Sequence, residues 1–233
     1  MLTVDGFRQR GEAMTRIETF TDAAFAFAVT LLVVGGGESI PADFDEMIFA
    51  MKQVPAFAAS MANIMLFWYA HHVWSRRFGL DDWGAIVLSI LLVFSVLIYV
   101  YPLKALYSGA IEFFSGGFFE SYFPIGSIDD LRTMFIIFGA AYVTLSGVII
   151  LLNRHALRQQ AKLHLNELEI YETQSTIQHW LLNMLVPAVS IILAMYAPGP
   201  WIILAGLIYG SFGIILPWHS SRRNRRRPAV PAA

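Results

Sequence analysis

The sequence contains no cysteine, so a disulfide framework, a thiolate nucleophile and a cysteine-ligated zinc or redox site are excluded. Charge is scarce as well. Only 14% of the 233 residues are Asp, Glu, Lys or Arg, while 57% are apolar, a balance typical of chains that face lipid rather than water. The arrangements that expose a catalytic serine or hold a catalytic zinc are missing too, because there is no Gly-x-Ser-x-Gly and no His-Glu-x-x-His. What remains is an all-α integral membrane protein without a soluble domain, for which we expect no enzymatic activity, no cofactor, no metal site and no nucleic-acid partner.

A bilayer-spanning helix takes roughly 20 mostly apolar residues, and the sequence predicts six: Ile17 to Gly37, Val54 to Trp74, Trp83 to Tyr107, Met134 to Leu152, Gln178 to Ala197 and Trp201 to Trp218. Basic residues fix their direction. Arg8, Arg10 and Arg16 precede the first span, Arg76 and Arg77 follow the second, Arg154, Arg158 and Lys162 follow the fourth, and Arg222, Arg223, Arg225, Arg226 and Arg227 follow the sixth. Of the sixteen Lys and Arg, only Lys52, Lys104 and Arg132 fall in the alternate connections, where most of the acidic residues also lie. Both termini are therefore expected in the cytoplasm, which agrees with an even number of spans.

The first fifteen residues are polar and mixed in charge, so the apolar run after them reads as a retained helix rather than a cleavable leader. Residues 108–130, rich in Phe and Gly, read as an interfacial or partly re-entrant segment, and residues 154–176 as a polar helical extension of the fourth span. Residues 1–220 are taken as one membrane domain. Residues 221–233 form a basic, disordered tail suited to anionic lipid head groups. No internal repeat is visible, so a pore built from this chain needs symmetry partners.

Residues 16–37, RIETFTDAAFAFAVTLLVVGGG, place an Arg, a Glu and an Asp at the head of an otherwise apolar helix. Stepping about 100° per residue from Arg16 brings Phe20, Ala23, Phe27, Thr30, Leu31 and Val34 onto one face, with Asp22 about 120° away. Arg16 and Glu18 can sit in the wet interface. Asp22 lies a turn deeper, where an ionisable group needs a partner, whether for packing or for function. The partners in reach are in MLFWYAHHVWSRRF at the same end of the second span, and we expect Trp68, His71 or His72 to hydrogen-bond Asp22 or Thr21. Adjacent histidines diverge by about 100° on a helix, which makes a shared metal between His71 and His72 a poor reading.

Arg-x-x-x-Phe-(Ser/Thr)-Asp, here Arg16, Phe20, Thr21 and Asp22, resembles the signature of the transmembrane protein 175 family of potassium channels. AAFAFAVTLLVV is similar to that family's first helix, FWYAHH to its second-span pattern, and YVYPLKALYS to the proline-containing end of its third span. The resemblance implies a homotetramer in the cell membrane with the first helix of each subunit lining a potassium-permeable pore. It also implies constriction by apolar rings at Phe27, Leu31 and Val34, with Thr30 adding a hydroxyl ring and no Thr-Val-Gly-Tyr-Gly filter. Phe27 stands where the family usually has a branched aliphatic side chain. Arg16, Phe20, Thr21, Asp22, Trp68, His71 and His72 would then hold the pore helix in place. A proton- or cation-coupled secondary transporter is the competing reading, since Asp and His within a membrane also serve proton relays.

Overall fold

The computed structural model describes residues 6–34 and 41–228. Its elements are α1 (Arg16–Val34), α2 (Phe44–Lys52), α3 (Val54–Phe78), α4 (Trp83–Phe114), α5 (Ile128–Arg158) and α6 (Glu167–Tyr196). Two further helices, α7 (Ile203–Leu207) and α8 (Phe212–Asn224), follow, each preceded by a 3-10 turn, Gly199–Ile202 and Ile208–Ser211. No β-strand occurs among the described residues. Among the described residues four stretches, α4, α5, α6 and Gly199–Asn224, are long and apolar enough to cross a bilayer.

Side-chain caps set the helix starts. Asp43, Asp82, Ser127 and Asn166 each accept a hydrogen bond from a backbone N–H three residues on, satisfying donors that a helix cannot pair internally. At the end of α3, Gly79 adopts φ 57°, the left-handed conformation that closes a helix without a Cβ clash. Pro102 lies inside α4 and Pro187 inside α6, as membrane helices tolerate when neighbours re-satisfy the freed carbonyls.

The helices bury an aromatic core. Phe67 of α3 meets Tyr142 of α5 at 5.2 Å and Trp180 of α6 at 5.3 Å between ring centroids, and Tyr99 of α4 completes the group. Their polar ends are accommodated. Tyr99 Oη donates to Asn63 Oδ1 at 3.4 Å, and Asn63 Nδ2 donates to Tyr107 Oη at 3.2 Å.

Contacts at each end of the bundle tie distant segments together. At one end the guanidinium of Arg10 forks onto Glu169, with Nη2 2.8 Å from Oε2 and Nη1 3.0 Å from Oε1, and Gly11 N–H donates to Arg76 O at 3.1 Å. Phe7 packs edge-on against Phe78 at 5.6 Å. The polar segment before α1 is thus a strap laid across α3 and α6. At the other end Gln53 Nε2 donates to Glu120 O at 2.7 Å, and Ser108 Oγ donates to Gln53 Oε1 at 3.2 Å. The three basic residues that depart from the charge pattern lie there, and each is engaged: Lys52 with Glu120 at 3.1 Å, Lys104 over the Tyr122 ring at 4.6 Å, and Arg132 with the last carbonyls of α6, Ala194 and Ala197.

Several boundaries differ from the sequence expectation. Helix α4 runs on through Phe114, so residues 108–114 continue a helix rather than open a re-entrant loop. The segment expected as one helix from Trp201 to Trp218 begins in the 3-10 turn Gly199–Ile202 and is broken by a second, Ile208–Ser211, and α8 continues to Asn224, past residue 220. Helix α2 has no counterpart in the reading, because nine residues are too few to register as a span.

Candidate pore helix and its anchor

Helix α1 begins where the Thr15 hydroxyl accepts the Glu18 N–H at 3.2 Å, an N-cap that fixes where the chain enters the bundle. From there two faces diverge. Glu18, Thr21, Phe25, Ala28 and Leu32, spaced at three and four residues, are buried against α3 and α4. Phe20, Ala23, Phe27 and Thr30 point away from the bundle, with Phe20 54% and Phe27 55% exposed. Leu31 lies between the faces, half-buried and packed on the core. The backbone of Val34 ends the described helix, and its side chain lies outside the described residues, as do Gly35 to Gly37.

The anchor is built from α3. Trp68 Nε1 donates to Asp22 Oδ1 at 2.9 Å, the contact expected for a carboxylate at this depth. The same indole stacks on His72, with ring centroids 5.3 Å apart, and His72 Nδ1 stands 4.0 Å from Glu18 Oε1. His71 turns elsewhere. Its Nε2 lies 3.0 Å from Ser89 Oγ of α4, and its ring meets Trp74 at 5.8 Å. The two adjacent histidines therefore serve different neighbours, as helical geometry requires.

Thr21 is buried, but its hydroxyl has no partner among the described residues, so of the two alternatives, Asp22 or Thr21, it is Asp22 that the second span engages. Arg16 is exposed. Glu18 is the residue that sequence reasoning placed wrongly: instead of sitting in the wet interface it is 2% exposed beside His72. The Thr-x-x-Glu spacing of a helix start was the available signal.

Thr30 Oγ1 donates to Ala26 O at 3.1 Å. Its proton is committed to the helix, which leaves the oxygen lone pairs facing away from the bundle. Beyond this helix, Asp82 between α3 and α4 lies 2.9 Å from His155 Nε2 through both carboxylate oxygens, and accepts from Gln159 Nε2 at 2.9 Å. Partial burial pushes the Asp82 carboxyl up, but the His155, Ala85 N–H and Gln159 hydrogen bonds outweigh it and hold the group below its ordinary range.

These features define a helical membrane protein whose first helix is anchored by one face and leaves the other exposed. The family model described as "Endosomal/lysosomal potassium channel TMEM175" matches residues 16–102, which include α1, its anchor and most of α4. A potassium channel of Marivirga tractuosa is 36% identical over 213 residues, covering 87% of this chain and 85% of that protein. The chain belongs to the TMEM175 family, a family of potassium channels rather than enzymes. The crystal structure of a variant of the potassium channel MtTMEM175, solved with a nanobody–MBP fusion, superposes with a TM-score of 0.82 at 33% identity, covering 95% of this chain and 97% of that one. A protein from Chamaesiphon minutus, described as a homolog of the lysosomal potassium-selective channel TMEM175, shares the fold with a TM-score of 0.56 at 19% identity, covering 90% and 97% of the two chains.

Proposed function

We propose that the chain is a potassium-permeable channel of the cell membrane, in which four copies surround a pore lined by α1. The observation that carries this reading is the division of α1 into a buried face and an outward face bearing Phe20, Phe27 and Thr30. Lipid alone would accept the phenylalanines, but Thr30, with its lone pairs turned outward, suits a cation path better than a hydrocarbon one. Six spans with both termini in the cytoplasm are the topology we assign to residues 1–220, with the basic residues 221–233 as a cytoplasmic tail. The gathering of Arg76, Arg10 and Arg223 at one end of the bundle supports that direction.

Rings of Phe27, Leu31 and Val34 would close such a pore by dewetting, since a narrow apolar ring breaks the water column and an ion must shed hydration to pass. Conduction then requires α1 to rotate or splay. Because Leu31 is half-buried in the single chain, a rotation of α1 would turn it toward the axis or back into the bundle and so change the width of its ring. The Asp22–Trp68 bond and the Glu18–His72 contact would resist that rotation, which makes them part of the gate. Selectivity would come from ring size and the Thr30 oxygens, with no carbonyl filter.

Potassium flux into proteoliposomes tests the reading. Leu31→Ala and Phe27→Ala each widen the constriction and are expected to raise flux severalfold over the unaltered protein. Flux that needs a counter-ion gradient, or that neither substitution changes, would point to a coupled transporter instead.

A further inference from the structure

The outer face of α6 and the inner face of α8 enclose a groove of about 680 Å³. Its walls are apolar along α6, where Leu181 and Leu185 are 45% and 56% exposed. At the basic end of the bundle it closes with Arg222 and Arg223 of α8 and Arg226 just beyond that helix, and no carboxylate lines it among the described residues. Arg222 and Arg226 stand four positions apart at the end of α8, whereas Arg223 is turned about 100° from Arg222. We propose that this groove binds an anionic glycerophospholipid, its phosphate held by Arg222 and Arg226 and one acyl chain lying along Leu181 and Leu185. This inference needs only that the helices lie in a bilayer, and stands whether or not the chain conducts potassium.

Each part of the groove suits a part of that ligand. Arg223 is a fixed wall: its Nη2 donates to Tyr171 O at 3.1 Å and its guanidinium covers the Tyr171 ring at 3.8 Å, while its Nε is buried with no hydrogen-bond partner among the described residues. Arg222 rests on the Trp218 ring at 5.3 Å, which presents its fork at the depth where tryptophan marks the membrane interface. Guanidinium forks bind phosphate oxygens in pairs. His219 Nε2, also lining the groove, is buried and unpartnered among the described residues, leaving a further polar atom for a head group.

The helix that carries the arginines is lightly packed. Phe212 stacks on Tyr142 and Arg223 is held by Tyr171, but α8 contains no buried residue, and a Cβ built on its Gly213 meets nothing within 4 Å. A lipid seated between α6 and α8 would add to these few contacts. A free phosphate could satisfy the arginines but would leave the apolar wall uncovered.

The test uses the full chain purified in a neutral detergent, with thermal unfolding and native mass spectrometry as readouts. Added phosphatidylglycerol should raise the unfolding midpoint and remain bound in the gas phase, whereas phosphatidylcholine and inorganic phosphate should do neither. The double variant Arg222→Gln with Arg226→Gln should weaken phosphatidylglycerol binding by roughly tenfold or more, the loss expected on removing charge-assisted phosphate contacts. Both side chains are exposed, so folding should survive. Leu185→Gln, at an exposed position on the apolar wall, provides a second variant and should also weaken binding. Equal protection by phosphatidylcholine, protection by inorganic phosphate, or undiminished phosphatidylglycerol binding in both variants would each overturn the proposal.

Discussion

A single indole hydrogen bond holds the one carboxylate that lies beyond the first turn of α1. Trp68→Phe keeps the ring against His72 but deletes the donor to Asp22. We expect a loss of about 1 kcal/mol, since side-chain hydrogen bonds between membrane helices are worth less than the cost of burying a bare carboxylate suggests. The measurement is thermal unfolding in detergent alongside potassium flux, and an unchanged midpoint with unchanged flux would remove the anchor role. This contact was legible in the sequence because a charge at membrane depth demands a partner. The bond between His71 and Ser89 was not, because two neutral groups carry no such demand.

The Asp82 carboxyl makes a pH prediction. Its folded pKa is depressed, so the stability it contributes is present above the ordinary carboxylate value of about 3.9 and disappears as the pH falls through the lower folded value. Asp82→Asn retains an N-cap for α4 but removes the charged partner of His155. The variant should lose less stability than the unaltered protein on acidification from pH 5 to below about pH 4. Parallel acid titrations of the two proteins would contradict this.

Among the elements, the segment before α1 is the one whose structure the sequence concealed. A short polar stretch has no periodicity to read, yet Phe7 is buried, Arg10 forks onto Glu169, and the backbone of Arg10 comes so close to Gly79 that a Cβ there would stand 2.8 Å from it. Its determinants are single residues that meet partners more than sixty positions away in sequence. The glutamate carboxylate is fully buried, and Arg10 is 13% exposed. Removing one member of such a pair leaves the other charge uncompensated, so Arg10→Ala should cost about 3 kcal/mol. Arg10→Lys should restore little, since an ammonium cannot form the two parallel bonds. Thermal unfolding of both variants checks this, and a full rescue by lysine would show that charge alone matters.

Helix existence was easier to foresee than helix extent. Long apolar runs identify α4, α5 and α6 directly, whereas their ends are set by caps such as Ser127 and Asn166 that lie in polar sequence. The last segment shows the limit. It carries no charged residue from Trp201 to Pro217, but a Cβ at Gly210 or Gly213 would meet nothing within 4 Å, and the backbone alternates between 3-10 and α geometry.

For the whole molecule, the decisive quantity is the surface that a single chain leaves uncovered on α1. The spacing of Phe20, Ala23, Phe27 and Thr30 was legible as one helical face, but periodicity alone does not say whether that face meets its own bundle or another copy. Packing answers half of the question, because the opposite face buries Phe25, Ala28 and Leu32 in the core formed with α3 and α4. Four outward faces meeting on an axis would remove the phenylalanines from lipid and bring four Thr30 oxygens together. Light scattering in a mild detergent is therefore expected to give a protein mass four times that of the 26.1 kDa chain. Ala23→Trp, which adds bulk at an exposed small residue on that face, should lower that mass while leaving helix content by circular dichroism unchanged. A stable dimer would rule out the fourfold pore, because two α1 helices cannot enclose a water-filled path without a second lining element from the same chain.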